Sequence, residues 1–174
     1  MKVPVVTSLV LAASVVAGGQ QPMPTDVKLR AQLTQLFPAA KAFSAKGGEP
    51  PHFKAYAADP ASGAPIGYAF WTTELEPLER GYDGPIKILV GIDPKGMLAG
   101  IIVAQHNEPY GNFSVDPPAF AAQFRGKNIR DAFKVGADID AVSRATITVS
   151  SAARAIRNSA RRVARHLLTP PTQP

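Results

Sequence analysis

The apolar residues of this chain follow a helical spacing near each end. From Val149 onward they recur every three or four positions and define one helix face: Val149, Ala153, Ile156, Ala160, Val163 and Leu167. Near the other end, a shorter face is made by Leu29, Leu33, Leu36 and Phe37. Thr25 or Asp26 would cap this helix and Pro38 would stop it. We therefore predict a short helix over residues 26–37 and a long C-terminal helix.

Between the helices the pattern changes to short apolar runs separated by turn residues. Four runs predict strands: residues 52–58, 66–71, 86–92 and 97–105. Residues 59–65 would join the first two, and the Pro-x-Gly turn at residues 93–96 makes the last two a hairpin. Residues 39–51 end in Gly47-Gly48 and Pro50-Pro51 and are expected to be a loop. The polar residues 72–80, which are interrupted by proline, are expected to be a loop or a ragged sheet edge. A further helix is expected to begin near Pro118, because proline is tolerated in a first helical turn.

This order of elements predicts one α+β domain with a mostly antiparallel twisted sheet and a helix near each end. The 174 residues and the hydrophobic content of 45% are enough for one core and hardly enough for two. No G-x-G-x-x-G follows a predicted strand, which argues against a doubly wound nucleotide fold.

Residues 1–19 have the layout of a secretory signal peptide. Lys2 is followed by the uncharged run from Val3 to Ala17 and by a glycine pair, with cleavage expected near Gln20. The run is shorter than the roughly 20 residues that span a bilayer, which favours cleavage over a retained N-terminal membrane anchor. We expect a periplasmic or otherwise exported protein. At the other end, the proline-rich residues 169–174 are predicted to be disordered.

The chain has no cysteine, which restricts its redox chemistry. An exported protein of this kind has no disulfides, no thiolate-bound iron–sulfur cluster and no c-type haem. Electron transfer, if present, would need an organic cofactor. The histidines are scattered at His52, His106 and His166, so no metal site is expected.

The net charge of +6 is concentrated on the predicted C-terminal helix. No acidic residue separates its arginines, which are Arg154, Arg157, Arg161, Arg162 and Arg165. They are interpreted as a solvated face, with docking to an acidic redox partner or to an anionic membrane surface as alternatives. Nucleic-acid binding is not expected, because no aromatic residues interleave the arginines.

A run of hydroxyl residues precedes and enters this helix. It begins after Asp140 and contains Ser143, Thr146, Thr148, Ser150 and Ser151. Serine and threonine at a helix start cap free backbone N–H groups, but the same N–H groups also bind phosphate. The run is therefore either a cap or a phosphate site.

Ser143-Arg144-Ala145-Thr146, preceded by Asp140 and followed by Thr148, resembles the flavinylation motif of the FMN-binding domain family. In that family the last threonine of the motif is joined to FMN through a phosphoester bond, and this threonine is Thr146 here. Arg144 stands where the commonest form has glycine, and an arginine beside a phosphodiester is electrostatically favourable. The resemblance gives Asp140 the role of orienting the motif or assisting metal-dependent flavin transfer.

A second segment resembles the same family. Gly81-Tyr82 leads into the predicted hairpin, whose second strand ends in His106-x-Glu108, and the loop continues through Tyr110 and Gly111. The resemblance implies that this loop lies against the flavin, where Tyr110 would stack on the ring and His106 and Glu108 would tune it. The alternative is that His106 and Glu108 are a surface pair at a strand end.

A third similar segment is the Gln-Phe-x-Gly-Lys sequence that ends at Lys127. Lys127 and Arg125 are weaker candidates for a phosphate contact, and Trp71 is expected in the core. The resemblance assigns residues 66–168 to the FMN-binding domain, after an N-terminal helix and first strand region at residues 20–65. Its site residues are Thr146, Ser143, Arg144, Ala145, Thr148, Asp140, His106, Glu108, Tyr110, Gly111 and Lys127.

The resemblance implies an exported electron carrier with covalent FMN on Thr146, not a turnover enzyme. A separate FAD-dependent, magnesium-requiring FMN transferase would make the bond, and redox proteins such as a membrane-bound electron-transfer complex would be partners. Two alternatives are a flavin-free exported binding or regulatory module of the same fold and a small FMN-dependent reductase that acts on a soluble substrate.

Overall fold

A computed structural model describes residues 26–59 and 63–168 of the chain. The predicted signal peptide and the predicted disordered tail lie outside the described residues. Five helices are described: α1 Val27–Leu36, α2 Thr72–Leu75, α3 Gly111–Ser114, α4 Pro118–Ala122 and α5 Thr146–Leu167. Five strands are described: β1 Ala42–Phe43, β2 Phe53–Tyr56, β3 Gly67–Trp71, β4 Lys87–Ile92 and β5 Leu98–Gln105.

The strands form one antiparallel sheet in the order β1-β2-β3-β4-β5, so each strand pairs with its neighbour in the sequence. Both predicted strand pairs are present, the first as β2 and β3 and the second as β4 and β5. The prediction of a single α+β domain with a mostly antiparallel sheet is confirmed.

Strand β4 is buried on both faces, which places the sheet between two helical layers. Its Ile88, Val90 and Ile92 pack in the core cluster that contains the apolar face of α5. Leu89 packs in the other cluster, which contains Leu33 and the rest of the buried face of α1. The alternation follows from the period of two along a strand. The two helices predicted from apolar spacing therefore cover opposite faces of the sheet.

Helix α1 begins and ends where the sequence predicts. The carboxylate of Asp26 caps it by accepting hydrogen bonds from the N–H groups of Lys28 at 2.8 Å and Leu29 at 3.2 Å. The helix ends at Leu36, one residue before the C-cap Phe37 and two before Pro38. Pro38 stops it because a proline in a helix interior removes a hydrogen bond and clashes with the preceding turn.

Two segments predicted to be loops contain short regular elements. Residues 39–51 include β1, which pairs with β2 through Ala42 and Tyr56. Residues 72–80 include α2, where the hydroxyl of Thr72 donates to the carbonyl of Ile86 and accepts from the N–H of Ile88, each at 3.1 Å. Neither short element was predicted, because elements of two and four residues are too short to show a period in the sequence.

The outer side of α5 is bound to the rest of the domain more closely than a solvated face would be. Arg154 donates to both carboxylate oxygens of Glu79 at 2.7 and 3.2 Å, and Arg162 donates to Glu76 at 3.0 Å. Arg161 donates to the carbonyl of Ile129 at 2.8 Å. Part of the arginine cluster therefore has a structural role.

Trp71 is buried in the core on the α1 side, as predicted, with the ammonium of Lys87 4.6 Å from its ring centroid. Among the helices of residues 26–59 and 63–168, none has both the length and the apolar character needed to span a membrane.

Candidate functional site

The carboxylate of Glu108 joins three segments that are far apart in the sequence. It accepts hydrogen bonds from the N–H groups of Tyr82 and Asp83, each at 3.0 Å, and from the hydroxyl of Thr148. Glu108 is only 7% exposed, so it is not the surface residue that one alternative expected. The segment before β4, the loop after β5 and the first turn of α5 therefore meet at this one side chain.

His106 holds the loop that carries Glu108. Its Nδ1 accepts a hydrogen bond from the N–H of Glu108 at 3.0 Å, and its Nε2 lies 2.7 Å from a carboxylate oxygen of Asp116. An Nδ1 that accepts leaves the ring proton on Nε2, where it faces Asp116. Both ring nitrogens are thus used to fix the loop between β5 and α3.

Two glycines allow these side chains to pack closely against the backbone. A Cβ atom at Gly81 would lie 2.3 Å from a carboxylate oxygen of Glu108. A Cβ atom at Gly111 would lie 2.1 Å from a ring carbon of His106. Only glycine fits at either position without displacing the ionisable side chain.

Thr146 is the first residue of α5, and its side chain is exposed. Ala145 is the N-cap, and no side chain caps the helix. The first hydrogen bond of the helix runs from the N–H of Val149 to the carbonyl of Ala145, at 3.0 Å. The amides of Thr146, Ile147 and Thr148 therefore have no partner within the helix and point toward its N-terminal end. Such an end attracts an anionic group.

The hydroxyl run does not act as a helix cap. Ser143 is exposed, and the hydroxyl of Thr148 is buried and donates to Glu108. The capping alternative is therefore wrong. The run instead contains one exposed hydroxyl at the first helical position and one buried hydroxyl that fixes the helix to the Glu108 loop.

Arg144 has a left-handed backbone conformation, with φ of 66°. Glycine adopts this region freely, whereas for other residues it costs roughly 1–2 kcal/mol. The turn before Thr146 thus keeps the geometry that a glycine would provide, although the residue is arginine. Its side chain is exposed, and the following Ala145 is buried.

Asp140 and Lys127 are tied to the segments that precede the motif. The N–H of Asp140 donates to the side-chain oxygen of Gln123 at 2.7 Å. The ammonium of Lys127 lies 3.3 Å from a carboxylate oxygen of Asp138, so it supports the loop before the motif. Burial opposes ionisation of Asp138, but hydrogen bonds from the amides of Lys134 and Phe133 and from Lys127 outweigh it and lower its pKa.

Four exposed apolar side chains lie on residues attached to this network, and we call them the aromatic rim: Tyr82, Tyr110, Phe113 and Ile147. The backbone of Tyr82 binds Glu108, Tyr110 follows Glu108 by two residues, and Ile147 precedes Thr148. The rings of Tyr110 and Phe113 are 5.3 Å apart, and each residue is 44% exposed.

Within the aromatic rim, only Tyr110 was predicted from the sequence to face a flavin. The signal for the other three is the exposure of large apolar side chains on elements that the Glu108 network joins, and a sequence does not show this. Phe113 lies in α3, which contacts α5. Ile147 belongs to the N-terminal turn of α5, so part of the rim lies on that turn.

The FMN-binding domain family matches residues 81–161, from Gly81 to the middle of α5. These residues belong to the FMN-binding domain family. The matched range includes every residue of the Glu108 network and the whole aromatic rim.

Three similar proteins carry the name of the same subunit of one kind of complex. The chain is 33% identical over 96 residues to the G subunit of the ion-translocating oxidoreductase complex of Vibrio vulnificus, which covers 49% of this chain and 46% of the relative. The same protein of Vibrio parahaemolyticus is 33% identical over 89 residues, covering 45% and 42%. That of Haemophilus influenzae is 46% identical over 44 residues, covering 25% and 19%. The matched region thus spans less than half the length of these relatives.

The geometry of the FMN-binding domain suits FMN. The unpaired amides at the start of α5, together with the exposed guanidinium of Arg144, suit a phosphate. The aromatic rim offers apolar surface for an isoalloxazine ring. Among the described residues, no group of three or more histidine, aspartate and glutamate side chains is arranged to hold a metal ion.

Proposed function

We propose that the FMN-binding domain of this chain carries FMN joined to Thr146 by a phosphoester bond and acts as an electron carrier. The observation that carries the proposal is the exposed hydroxyl of Thr146 at an uncapped helix N-terminus. A hydroxyl that capped the helix or was buried would not be accessible to an enzyme. Bound FMN supplies the chemistry of accepting and donating electrons.

The attachment reaction requires a separate enzyme and balances with FAD as the donor. Oγ1 of Thr146 attacks the phosphorus of the FMN half of FAD, and the bond from that phosphorus to the bridging oxygen breaks. AMP leaves with the bridging oxygen, and the hydroxyl proton passes to the transferase or to solvent. The protein gains the mass of FMN less one water. A magnesium ion held by the transferase would neutralise the pyrophosphate charge.

The residues around Thr146 have separate roles in holding the cofactor. The amides of Ile147 and Thr148 would donate to the phosphate, and Arg144 would supply a positive charge beside it. Tyr82 and Tyr110 would contact the ring, whereas Glu108 sets their position without needing to touch it. His106 has the same kind of indirect role, because its ring nitrogens are engaged by Asp116 and the loop backbone.

We further propose that the carrier is exported and exchanges electrons with a membrane-bound electron-transfer complex. Residues 1–19 support export by their layout. The names of the relatives support a membrane complex as the partner, since each is part of an ion-translocating oxidoreductase complex. Covalent attachment suits an exported carrier, because FMN lost outside the cytoplasm is not replaced.

The test is the intact mass of the full chain purified from the periplasm of a host with an active flavin transferase. The wild type should gain FMN less one water, and Thr146→Ala should gain nothing. Ser143→Ala is the matched control, because it removes an exposed hydroxyl from the same turn and should keep the added mass. A wild type without added mass, or a Thr146→Ala variant that still carries it, would contradict the proposal. The same spectrum reports whether the N-terminus is cleaved.

A further inference from the structure

A cavity of 560 Å³ lies at the opposite end of α5 from Thr146. It opens between the β4–β5 turn, residues 128–130 and the last turns of α5. Arg165, which lines it, is about 28 Å from Thr146 along the helix axis at roughly 1.5 Å per residue. The cavity is therefore separate from the FMN site.

The lining of this cavity combines positive charge with an apolar wall. Ile129, Ala164 and Leu168 contribute the apolar part. None of the described residues that line it is acidic. Its cationic side chains are Lys95, Arg130, Arg161 and Arg165.

The charge in the cavity is not neutralised by ion pairs, unlike the charge elsewhere on the same helix. Arg154 and Arg162 of α5 are paired with Glu79 at 2.7 Å and Glu76 at 3.0 Å. Within residues 26–59 and 63–168, none of the cavity's cations forms an ion pair. The domain thus neutralises one part of its arginine cluster and leaves the part around the cavity available to an anion.

Two carboxylates that are close in sequence to the cavity lining accept hydrogen bonds from backbone N–H groups. Asp93 accepts hydrogen bonds from the N–H groups of Lys95 at 2.8 Å and Met97 at 2.9 Å. Asp131 accepts one from the N–H of Asn128 at 2.8 Å. These two carboxylates and the carbonyl end of α5 offset part of the positive charge of the cavity. The four cationic side chains still outnumber the two carboxylates, so the cavity keeps a net positive charge.

Arg161 is held in place before any ligand arrives. Its Nε donates to the carbonyl of Ile129 at 2.8 Å, and its Nη2 donates to that of Asp131 at 2.9 Å. No acceptor in the described part of the chain takes up the N–H groups of Nη1. A fixed guanidinium with free N–H groups binds an oxyanion with a small loss of side-chain entropy.

We propose that this cavity binds an amphipathic organic phosphate. The phosphate lies among Arg130, Arg161 and Arg165, because guanidinium groups match the geometry of phosphate oxygens. The apolar part of the ligand lies against Ile129 and Leu168. The volume lies within the roughly 300–1,000 Å³ of small-molecule sites. An anionic phospholipid headgroup and a soluble phosphate ester share this chemistry, and the experiment distinguishes them.

The soluble source is tested by titrating the ¹⁵N-labelled full chain with phenyl phosphate and following backbone amide shifts. The amides of Lys95, Gly96 and Arg130 should shift, and phenol, which lacks the phosphate, should leave them unchanged. Arg130→Gln and Arg165→Gln should each weaken binding about tenfold, from the loss of one charge-assisted contact. Arg161 is left intact, since it also supports the loop that it contacts.

The lipid source is tested by sedimentation with vesicles of phosphatidylglycerol and phosphatidylcholine, beside vesicles of phosphatidylcholine alone. The double variant Arg130→Gln/Arg165→Gln should bind the anionic vesicles at least tenfold more weakly than the wild type. Arg30→Gln is the control, because it removes an exposed arginine from α1, which packs on the opposite face of the sheet.

The outcomes separate the two sources. If phenyl phosphate shifts the amides of the wild type but not those of the double variant, the ligand is a soluble phosphate ester. If the wild type binds anionic vesicles but not phenyl phosphate, and the double variant binds neither, the ligand is a lipid headgroup. No binding in either assay, or equal binding by the double variant and Arg30→Gln, would overturn the proposal. Both assays are run on the protein with FMN and on the protein without it. Binding at this cavity can therefore fail or succeed separately from FMN attachment at Thr146.

Discussion

The hydroxyl of Thr148 donates a hydrogen bond to the buried carboxylate of Glu108, which is 40 residues away in the sequence. This contact fixes the N-terminal turn of α5 against the loop that follows β5. Because Glu108 also accepts from the amides of Tyr82 and Asp83, this one carboxylate connects the first turn of α5, which carries Thr146, to the segment before β4. The stability of the domain should therefore depend on the groups that surround this carboxylate.

Removing the hydroxyl of Thr148 should weaken the domain. In Thr148→Val the buried Glu108 loses one of its donors, and an unsatisfied buried acceptor costs about 1–3 kcal/mol. The free energy of unfolding from urea titration of the protein without FMN should fall by that amount. Ser143→Ala, which removes an exposed hydroxyl from the preceding turn, should change it by less than about 0.5 kcal/mol. Equal effects of the two substitutions would contradict the role of this contact.

Adding a methyl group at either site glycine should also destabilise the domain. Gly81→Ala places a Cβ against Glu108, and Gly111→Ala places one against the ring of His106. Overpacking of this kind costs about 1–3 kcal/mol, measured as a loss in the free energy of unfolding. Gly63→Ala is the control, because a Cβ there meets no atom within 4 Å. A stability of Gly81→Ala as high as that of Gly63→Ala would show that Glu108 moves aside easily.

Replacing Arg144 by glycine should stabilise the domain. Glycine relieves the left-handed strain of roughly 1–2 kcal/mol, and its greater freedom in the unfolded chain offsets about half of this gain. The free energy of unfolding should rise by about 0.5–1 kcal/mol. Arg144→Ala removes the charge but keeps the strain, so it should give no such gain. If alanine stabilises as much as glycine, the cause is the charge and not the backbone.

Stability should decrease as the pH falls below about 6.5, the pKa of histidine in an unfolded chain. Burial lowers the pKa of His52, and the hydrogen bond between its Nδ1 and the carbonyl of Pro50 offsets this only in part. A folded-state pKa below the unfolded value means that the unfolded state takes up the proton first. The contribution of His52 to the free energy of unfolding is therefore complete above about pH 6.5. It is lost as the pH falls toward the lowered pKa of the folded state.

This pH dependence is measured by urea unfolding between about pH 7.5 and about pH 5, with His52→Gln as the comparison variant. Glutamine at position 52 keeps a side-chain donor for the carbonyl of Pro50 and does not titrate itself. The wild type should lose more stability over the window than the variant does. Parallel curves would assign the pH dependence to other groups.

The sequence by itself determined the elements whose residues repeat locally. The spacing of apolar residues along α1 and α5 and the Pro-x-Gly turn between β4 and β5 depend only on near neighbours. Asp26 could be predicted as a cap for the same reason, because its partners are two and three residues away. The motif around Thr146 was also readable, and its role as the attachment point stays a prediction.

Only the tertiary structure decided which side chains meet. Glu108 binds residues 26 and 40 positions away, and Arg154 pairs with Glu79 across 75 positions. A local pattern cannot choose among such partners, because the choice depends on which faces of the sheet and helices pack together. The left-handed backbone at Arg144 was likewise hidden, since arginine gives no signal for it. The motif could therefore be recognised in the sequence, but the geometry of the site depends on tertiary packing.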